Sequence, residues 1–140
     1  MIPRHASVII CDEMLYSLSG KFNFLGAYPS DLTIPVDPTT SAQLIFYFVI
    51  ETDVSDPYKS LRMEITLPEQ APVVQQMPVI PAVPIHPDRP RWTLRWPMII
   101  PQPTLRPGRI VAKVIHESGE LIAGTPWIVL TGQPKQPLVS

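Results

Sequence analysis

Hydrophobic residues recur along this chain with a period of two, which is the spacing of side chains on one face of a β-strand. Every odd-numbered residue from 61 to 67 is apolar and the even-numbered residues between them are polar. From 92 to 98 the even-numbered residues are Trp, Leu, Trp and Met, while 91, 93 and 95 are Arg, Thr and Arg. Residues 44–50 are apolar at every position, which predicts a strand that is covered on both faces.

Shorter runs with turn residues between them extend this pattern along the chain. A glycine in the segment 117–120 favours a tight hairpin between two of them. The spacing predicts an all-β fold, a two-sheet antiparallel β-sandwich with immunoglobulin-like or similar Greek-key topology. The predicted strands are 6–15, 21–27, 32–34, 42–51, 59–67, 91–98, 109–116 and 121–130.

Prolines interrupt this pattern in one region. Residues 68–107 hold 11 of the 19 prolines, and five of them fall at every third position from Pro78 to Pro90. Three residues per turn is the period of a polyproline II helix, and a central strand cannot lose so many backbone donors. The pattern predicts an extended crossover segment over 78–90.

The proline segment has two interpretations. Aromatic-grooved domains bind proline-rich peptides, so the segment is a candidate for partner binding. The favoured alternative is a stiff connector whose apolar residues cover a sheet edge or meet a second chain. The candidate partner-binding residues are Val79, Val83, Pro84, Ile85, Pro87 and Arg89.

Length and composition indicate one domain. The chain has 140 residues, enough for a core without crosslinks, and we expect a domain over 1–133 and a flexible tail over 134–140. Residues 1–70 carry a balance of −5 and residues 71–140 a balance of +4, which neutralise each other in one domain. Cys11 is the only cysteine, and the longest apolar run has seven residues, far below the twenty or so of a membrane helix. We therefore expect a cytoplasmic protein that does not bind membranes.

Cys11 is a candidate nucleophile only if a histidine base lies beside it. The candidates are His5, His86 and His116, and the spacing brings none of them to Cys11. The strand pattern favours a buried Cys11 that packs as a small apolar residue.

Metal and phosphate motifs are not evident in the sequence. No zinc-ligand spacing and no glycine-rich phosphate loop occur, and no cofactor is expected. Calcium could be held by aspartates on loops, although aspartate is also a common turn residue. The four aspartates in predicted loops are Asp31, Asp37, Asp53 and Asp56.

Arginine and tryptophan alternate in the segment 91–96, a composition found in proteins that bind single-stranded nucleic acid. Strict alternation, however, places Trp92 and Trp96 on one face and Arg91 and Arg95 on the other. The favoured interpretation is core tryptophans under exposed arginines, with no nucleic acid bound. Arg91 and Arg95 remain candidates for binding an anion.

Several short motifs occur in the first half of the chain, namely Val8-Ile9-Ile10-Cys11-Asp12-Glu13, Gly20-Lys21, Leu25-Gly26-Ala27-Tyr28, Asp31, Pro35 and Lys59-Ser60-Leu61. Together they resemble a group of small bacterial proteins without an assigned activity. The resemblance implies a cytoplasmic bacterial β-sandwich and brings no site residues with it.

Two function classes follow from the sequence. The favoured one is a non-catalytic structural or protein-binding module whose partner is another protein or a second copy of the chain. The alternative is a small hydrolase or a ligand-binding sandwich, for example one that binds calcium or an anion. A pocket that joins a histidine to a carboxylate and Cys11 would favour the alternative.

Overall fold

A computed structural model describes residues 2–28, 30–77, 88 and 90–131, and these residues contain no helix. The all-β prediction is therefore confirmed over the described part of the chain, which holds no helix that could cross a membrane. The strands in chain order are β1 (His5–Cys11), β2 (Glu13–Tyr16), β3 (Phe22–Leu25), β4 (Leu32–Ile34), β5 (Thr39–Thr40), β6 (Gln43–Asp53), β7 (Leu61–Thr66), β8 (Val73–Gln76), β9 (Arg91–Pro101), β10 (Thr104–Leu105), β11 (Gly108–Arg109), β12 (Val111–His116), β13 (Gly119–Gly124) and β14 (Trp127–Leu130).

A three-stranded antiparallel sheet has the order β1-β6-β9. The even-numbered residues of β6 from Leu44 to Ile50 are buried on one face. Ile45 and Tyr47 are buried on the opposite face. The continuous apolar run of this strand therefore has the expected cause, because both of its faces are covered.

A four-stranded antiparallel sheet has the order β13-β12-β7-β8. In β7 the residues Leu61, Met63 and Ile65 are fully buried and alternate with partly exposed polar residues, as predicted. The predicted hairpin is formed by β12 and β13, with His116 opposite Gly119.

Three predicted strands are each divided in the structure, and one of them is 109–116, in which Arg109 belongs to β11 and the residues after Ile110 to β12. The run 6–15 breaks at Asp12, whose N–H leaves the sheet and donates to the Leu25 carbonyl at 3.1 Å, so that β2 pairs with β3 in a separate hairpin. The run 121–130 breaks at Thr125 and Pro126, because proline has no donor to continue a ladder. After this break β14 pairs with β11 and, in parallel, with β4, so the prediction of antiparallel pairing is wrong for that one pair. The strands β5 and β10 form a two-stranded ladder.

The strand β9 contains Pro97 and still continues for 11 residues. The N–H of Gln102 donates to Ala42, and the carbonyl of Pro90 accepts from Val54, so the even-numbered residues of β9 bond to β6. The backbone groups of the odd-numbered residues, Pro97 and Pro101 among them, face the free edge of the described sheet. A proline at such a position removes no ladder bond and protects the edge from pairing with another strand.

The core is one cluster that takes buried side chains from both large sheets and from β4 and β14. Phe46 and Phe48 lie at its centre with no exposed surface. Loss of one such ring would cost about 3–5 kcal/mol of the free energy of unfolding. The tail 134–140 and nearly all of the segment 78–90 lie outside the described residues, so the predictions for them are not tested.

Candidate functional site

The six predicted partner-binding residues, Val79, Val83, Pro84, Ile85, Pro87 and Arg89, lie outside the described residues. The structure does describe where their segment is attached. On one side the Met77 N–H donates to the Leu61 carbonyl at 3.0 Å. On the other side the Pro90 carbonyl accepts from the Val54 N–H at 2.7 Å. The segment therefore connects the edge of the four-stranded sheet to the edge of the three-stranded sheet, and its partner-binding role stays a prediction.

Arg91 and Arg95 lie on the face of β9 that points away from the core, opposite the buried Trp92. Arg91 forms an ion pair with Glu51 at 2.8 Å, whereas no described carboxylate pairs with Arg95. Four residues along a strand separate the two arginines by about 13 Å. They therefore do not converge on one small anion.

Cys11 is fully buried at the end of β1, and burial raises the pKa of its thiol. His5 is at the opposite end of the same strand, about 20 Å away by strand geometry. His116 is engaged in a separate polar cluster, and His86 lies outside the described residues. The structure thus brings neither described histidine to Cys11.

The four aspartates considered for calcium each have their own protein partner. Asp31 accepts from the Trp127 N–H, Asp37 pairs with Arg106, Asp53 accepts from the Ser55 hydroxyl, and Asp56 pairs with Arg4. Within the described ranges no three histidine, cysteine, aspartate or glutamate side chains gather as metal ligands.

Arg4 lies at the centre of a polar cluster that joins three parts of the chain. Its guanidinium contacts both carboxylate oxygens of Glu117, at 3.0 and 3.2 Å, and both of Asp56, at 3.1 and 3.2 Å. It also stacks on the ring of Tyr58, 4.5 Å from the centroid. The Arg4 side chain is only 15% exposed, so water screens these contacts less than it does on an open surface.

His116 also belongs to this cluster. Arg4 Nη1 lies 3.0 Å from Nδ1 of His116, and the Ser118 N–H lies 3.3 Å from the same atom. Both groups only donate, so Nδ1 accepts and the ring carries its proton on Nε2. Burial alone would raise the pKa of Glu117, but hydrogen bonds from the Lys59 N–H and Arg4 outweigh it and lower that pKa. The arrangement suits a clamp that holds the N-terminal segment against two loops.

We use the term outer face for the side of the three-stranded sheet that points away from the core. Its central rows are apolar: Ile9 and Pro97 flank Tyr47, and Cys11 and Ile99 flank Ile45. The hairpin of β2 and β3 packs over these rows through Phe24, whose ring meets that of Tyr47 at 5.0 Å. Ile9 and Ile99 remain 38% and 55% exposed, so the hairpin covers the outer face only in part.

The four-stranded sheet also has a side that points away from the core, and this side carries ion pairs. Its outward residues include two ion pairs, Lys113 with Glu120 at 3.2 Å and Arg62 with Glu64 at 3.9 Å. Ile122 stands among them with 53% of its surface exposed. Val74, which is paired with Glu64 on this face, is also 50% exposed, so the outward surface of the four-stranded sheet combines ion pairs with single apolar side chains.

An open cleft of about 330 Å³ lies where β1 meets the segment between β13 and β14. A Cβ atom at Gly124 would lie 2.8 Å from Cγ1 of Val8, so a larger residue at this position would force Val8 or the strand to shift. We call this site the cleft. Its lining residues are Val8, Ile10, Tyr28, Ser30, Asp31, Gly124, Thr125 and Pro126.

Two hydrogen bonds hold Tyr28 as one wall of the cleft. Its N–H donates to the Ile10 carbonyl at 2.9 Å, and its hydroxyl donates to Asp12 at 2.7 Å. Burial and this hydrogen bond raise the pKa of Tyr28 to about 12, so the hydroxyl keeps its proton at neutral pH.

No family model, curated protein or solved structure matches this chain. The resemblance to small bacterial proteins therefore stays a prediction.

Sequence reasoning named Asp31 as a loop carboxylate but missed Tyr28, Gly124 and Arg4. Gly124 has a readable signal, because an isolated glycine inside a predicted strand often marks a close approach by another part of the molecule. The partners of Arg4 are 52 and 113 residues away, and no local pattern could connect them.

Proposed function

We propose that this chain is a non-catalytic protein-binding domain with β-sandwich architecture, and that its outer face forms an interface with a second copy. The sandwich is supported by the core, in which inward residues of the three-stranded and four-stranded sheets belong to one cluster. The observation that carries the function is the incomplete cover of the apolar rows on the outer face, which leaves Ile9 and Ile99 exposed on the two strands beside β6. Neighbouring apolar side chains that stay in water are a common feature of interaction sites.

A second copy is favoured because opposite charges lie at the two ends of the apolar rows of the outer face. Arg95 lies at one end, and no described carboxylate pairs with it. Glu13 lies at the other end, on the hairpin, and no described basic side chain pairs with it. A two-fold axis through the apolar rows would bring Arg95 of one copy towards Glu13 of the other, as an isologous interface requires. The proline-protected edge of β9 is less suited to dimer formation through strand pairing.

Two matched substitutions test the interface. Ile99 and Ile122 are about equally exposed, lie on edge strands and point away from the core on opposite sheets. We expect the parent protein to have the mass of a dimer in light scattering. Ile99→Glu should weaken that dimer at least about tenfold, because it buries a charge without a partner, and Ile122→Glu should leave it intact.

Circular dichroism first has to show that both variants remain folded, so that a change in mass reports on the interface and not on unfolding. A monomeric parent protein at every concentration, or equal effects of the two substitutions, contradicts the interface.

A small-ligand-binding domain is the second candidate. It is favoured by the cleft, whose volume of about 330 Å³ lies at the lower end of the range for ligand sites. A cytoplasmic location is part of both proposals and is supported by the one buried, unpaired cysteine.

A further inference from the structure

Two carboxylates beside the cleft differ from most other carboxylates of the described residues. Seven of the others lie between 2.8 and 3.9 Å from an arginine or lysine nitrogen, namely Asp37, Glu51, Asp56, Glu64, Glu69, Glu117 and Glu120. Asp12 and Asp31 have no such neighbour in the described structure. Asp31 lines the cleft and Asp12 accepts from the hydroxyl of Tyr28, another lining residue, so two carboxylates without an ion pair lie at the cleft.

Asp31 is placed to receive a donor from the cleft. Its Oδ1 accepts the Trp127 N–H at 3.0 Å, which fixes the carboxylate at the start of β4. Its second oxygen has no described donor, and the residue is exposed. The carboxylate therefore has free acceptor capacity at the rim of the cleft.

The rest of the cleft is suited to an apolar body. Val8, Ile10 and Pro126 supply aliphatic surface, and Tyr28 supplies a ring. The Tyr28 hydroxyl donates to a carboxylate, so the ring has a negative group behind it. An aromatic ring in such a setting attracts cations over its face.

One cation does approach the rim. Arg109 donates from Nε to the Thr125 carbonyl at 3.2 Å, and its guanidinium stacks on the ring of Trp127 at 4.8 Å. These contacts direct it to a carbonyl and a ring, and it forms no described ion pair with Asp31. The charge of Asp31 therefore remains available to a ligand.

We propose that the cleft binds a primary ammonium group on an apolar stem, with Asp31 accepting from the ammonium and Val8, Ile10 and Pro126 contacting the stem. Such a group is found in small organic amines and in lysine side chains of proteins. The proposal is independent of the dimer interface, because the cleft and the outer face share no lining residue.

Three probes with the same ring and different charge test the proposal: phenethylamine, 2-phenylethanol and phenylacetate. Each is titrated into the full chain, and binding is followed by backbone amide shifts in NMR spectra. We expect the amine to bind most tightly and the acid most weakly, with the largest shifts at Val8, Ile10 and Gly124. A parallel titration with Nα-acetyl-lysine methylamide distinguishes the two sources, because comparable affinity points to protein side chains and much weaker binding to free amines.

A matched pair of variants isolates the charge of Asp31. Asp31→Asn keeps an oxygen that can accept from Trp127 and removes the charge, so the fold is retained. We expect it to weaken phenethylamine binding about three- to fivefold, as the loss of an exposed ion pair does, and to abolish the preference over 2-phenylethanol. Glu120→Gln removes the same charge from the four-stranded sheet and should change neither. Equal binding of amine and alcohol by the parent protein, an unchanged preference in Asp31→Asn, or shifts confined to the outer face would each overturn the proposal.

Discussion

The Arg4 cluster attaches the N-terminal segment to the rest of the domain, and its contribution can be measured as a change in the free energy of unfolding. Arg4→Ala removes contacts to both oxygens of Glu117 and of Asp56, together with the stack on Tyr58. Loss of one partner from a fully buried ion pair costs about 3–5 kcal/mol. Here Asp56 is 46% and Glu117 22% exposed, so water can hydrate both carboxylates once Arg4 is gone. We therefore expect a loss of about 2–3 kcal/mol in the free energy of unfolding, measured by urea denaturation.

Arg106 provides a matched control for this prediction. It also bridges two carboxylates, Asp37 at 3.5 Å and Glu69 at 3.8 Å, but its side chain is 41% exposed. Arg106→Ala should therefore cost less than about 1 kcal/mol, as exposed ion pairs do. If Arg4→Ala and Arg106→Ala lose the same free energy of unfolding, the reasoning is refuted, because burial would then not change how much the ion pairs stabilise the fold.

Three further predictions follow from single sites. Trp92→Ala should cost about 3–5 kcal/mol and Arg95→Ala less than about 0.5 kcal/mol in the same urea assay at a protein concentration low enough for the monomer, because in one copy the tryptophan is buried and the arginine exposed. Cys11 should react with a thiol reagent only at the rate of unfolding, since it is fully buried and burial raises its pKa; rapid labelling of native protein contradicts this. Hydrogen bonds, chiefly from the Ser55 hydroxyl, lower the pKa of Asp53 from 3.8 to about 2, so its stabilisation is present above about pH 4 and is lost as the pH falls towards 2. Acid titration of Asp53→Asn should lack that part of the loss seen in the parent protein.

The strands could be predicted wherever a local pattern repeats. The alternation over 61–67 and the unbroken apolar run over 44–50 each predicted a strand and its burial, because side-chain direction in a strand depends on position alone. The division of 6–15 at Asp12 was missed, since an apolar run does not show where a chain leaves one sheet for another.

The candidate site was much less predictable. The cleft brings together residues from β1, from the loop before β4 and from the segment after β13, and the contacts depend on sheet order. Sheet order is set by packing of the whole core, and a single sequence carries no local signal for it. The same applies to Arg4, whose partners are far away in the chain.

The interface on the outer face is tested most directly by a charge-reversal cycle between Arg95 and Glu13, followed by sedimentation at several protein concentrations. Arg95→Glu and Glu13→Arg should each weaken the dimer, because like charges would then face each other across the two-fold axis. The double variant should regain most of the dimer, since the pair is restored with its signs exchanged. Single reversals that leave the mass unchanged, or a double variant no better than either single one, would contradict the proposed interface.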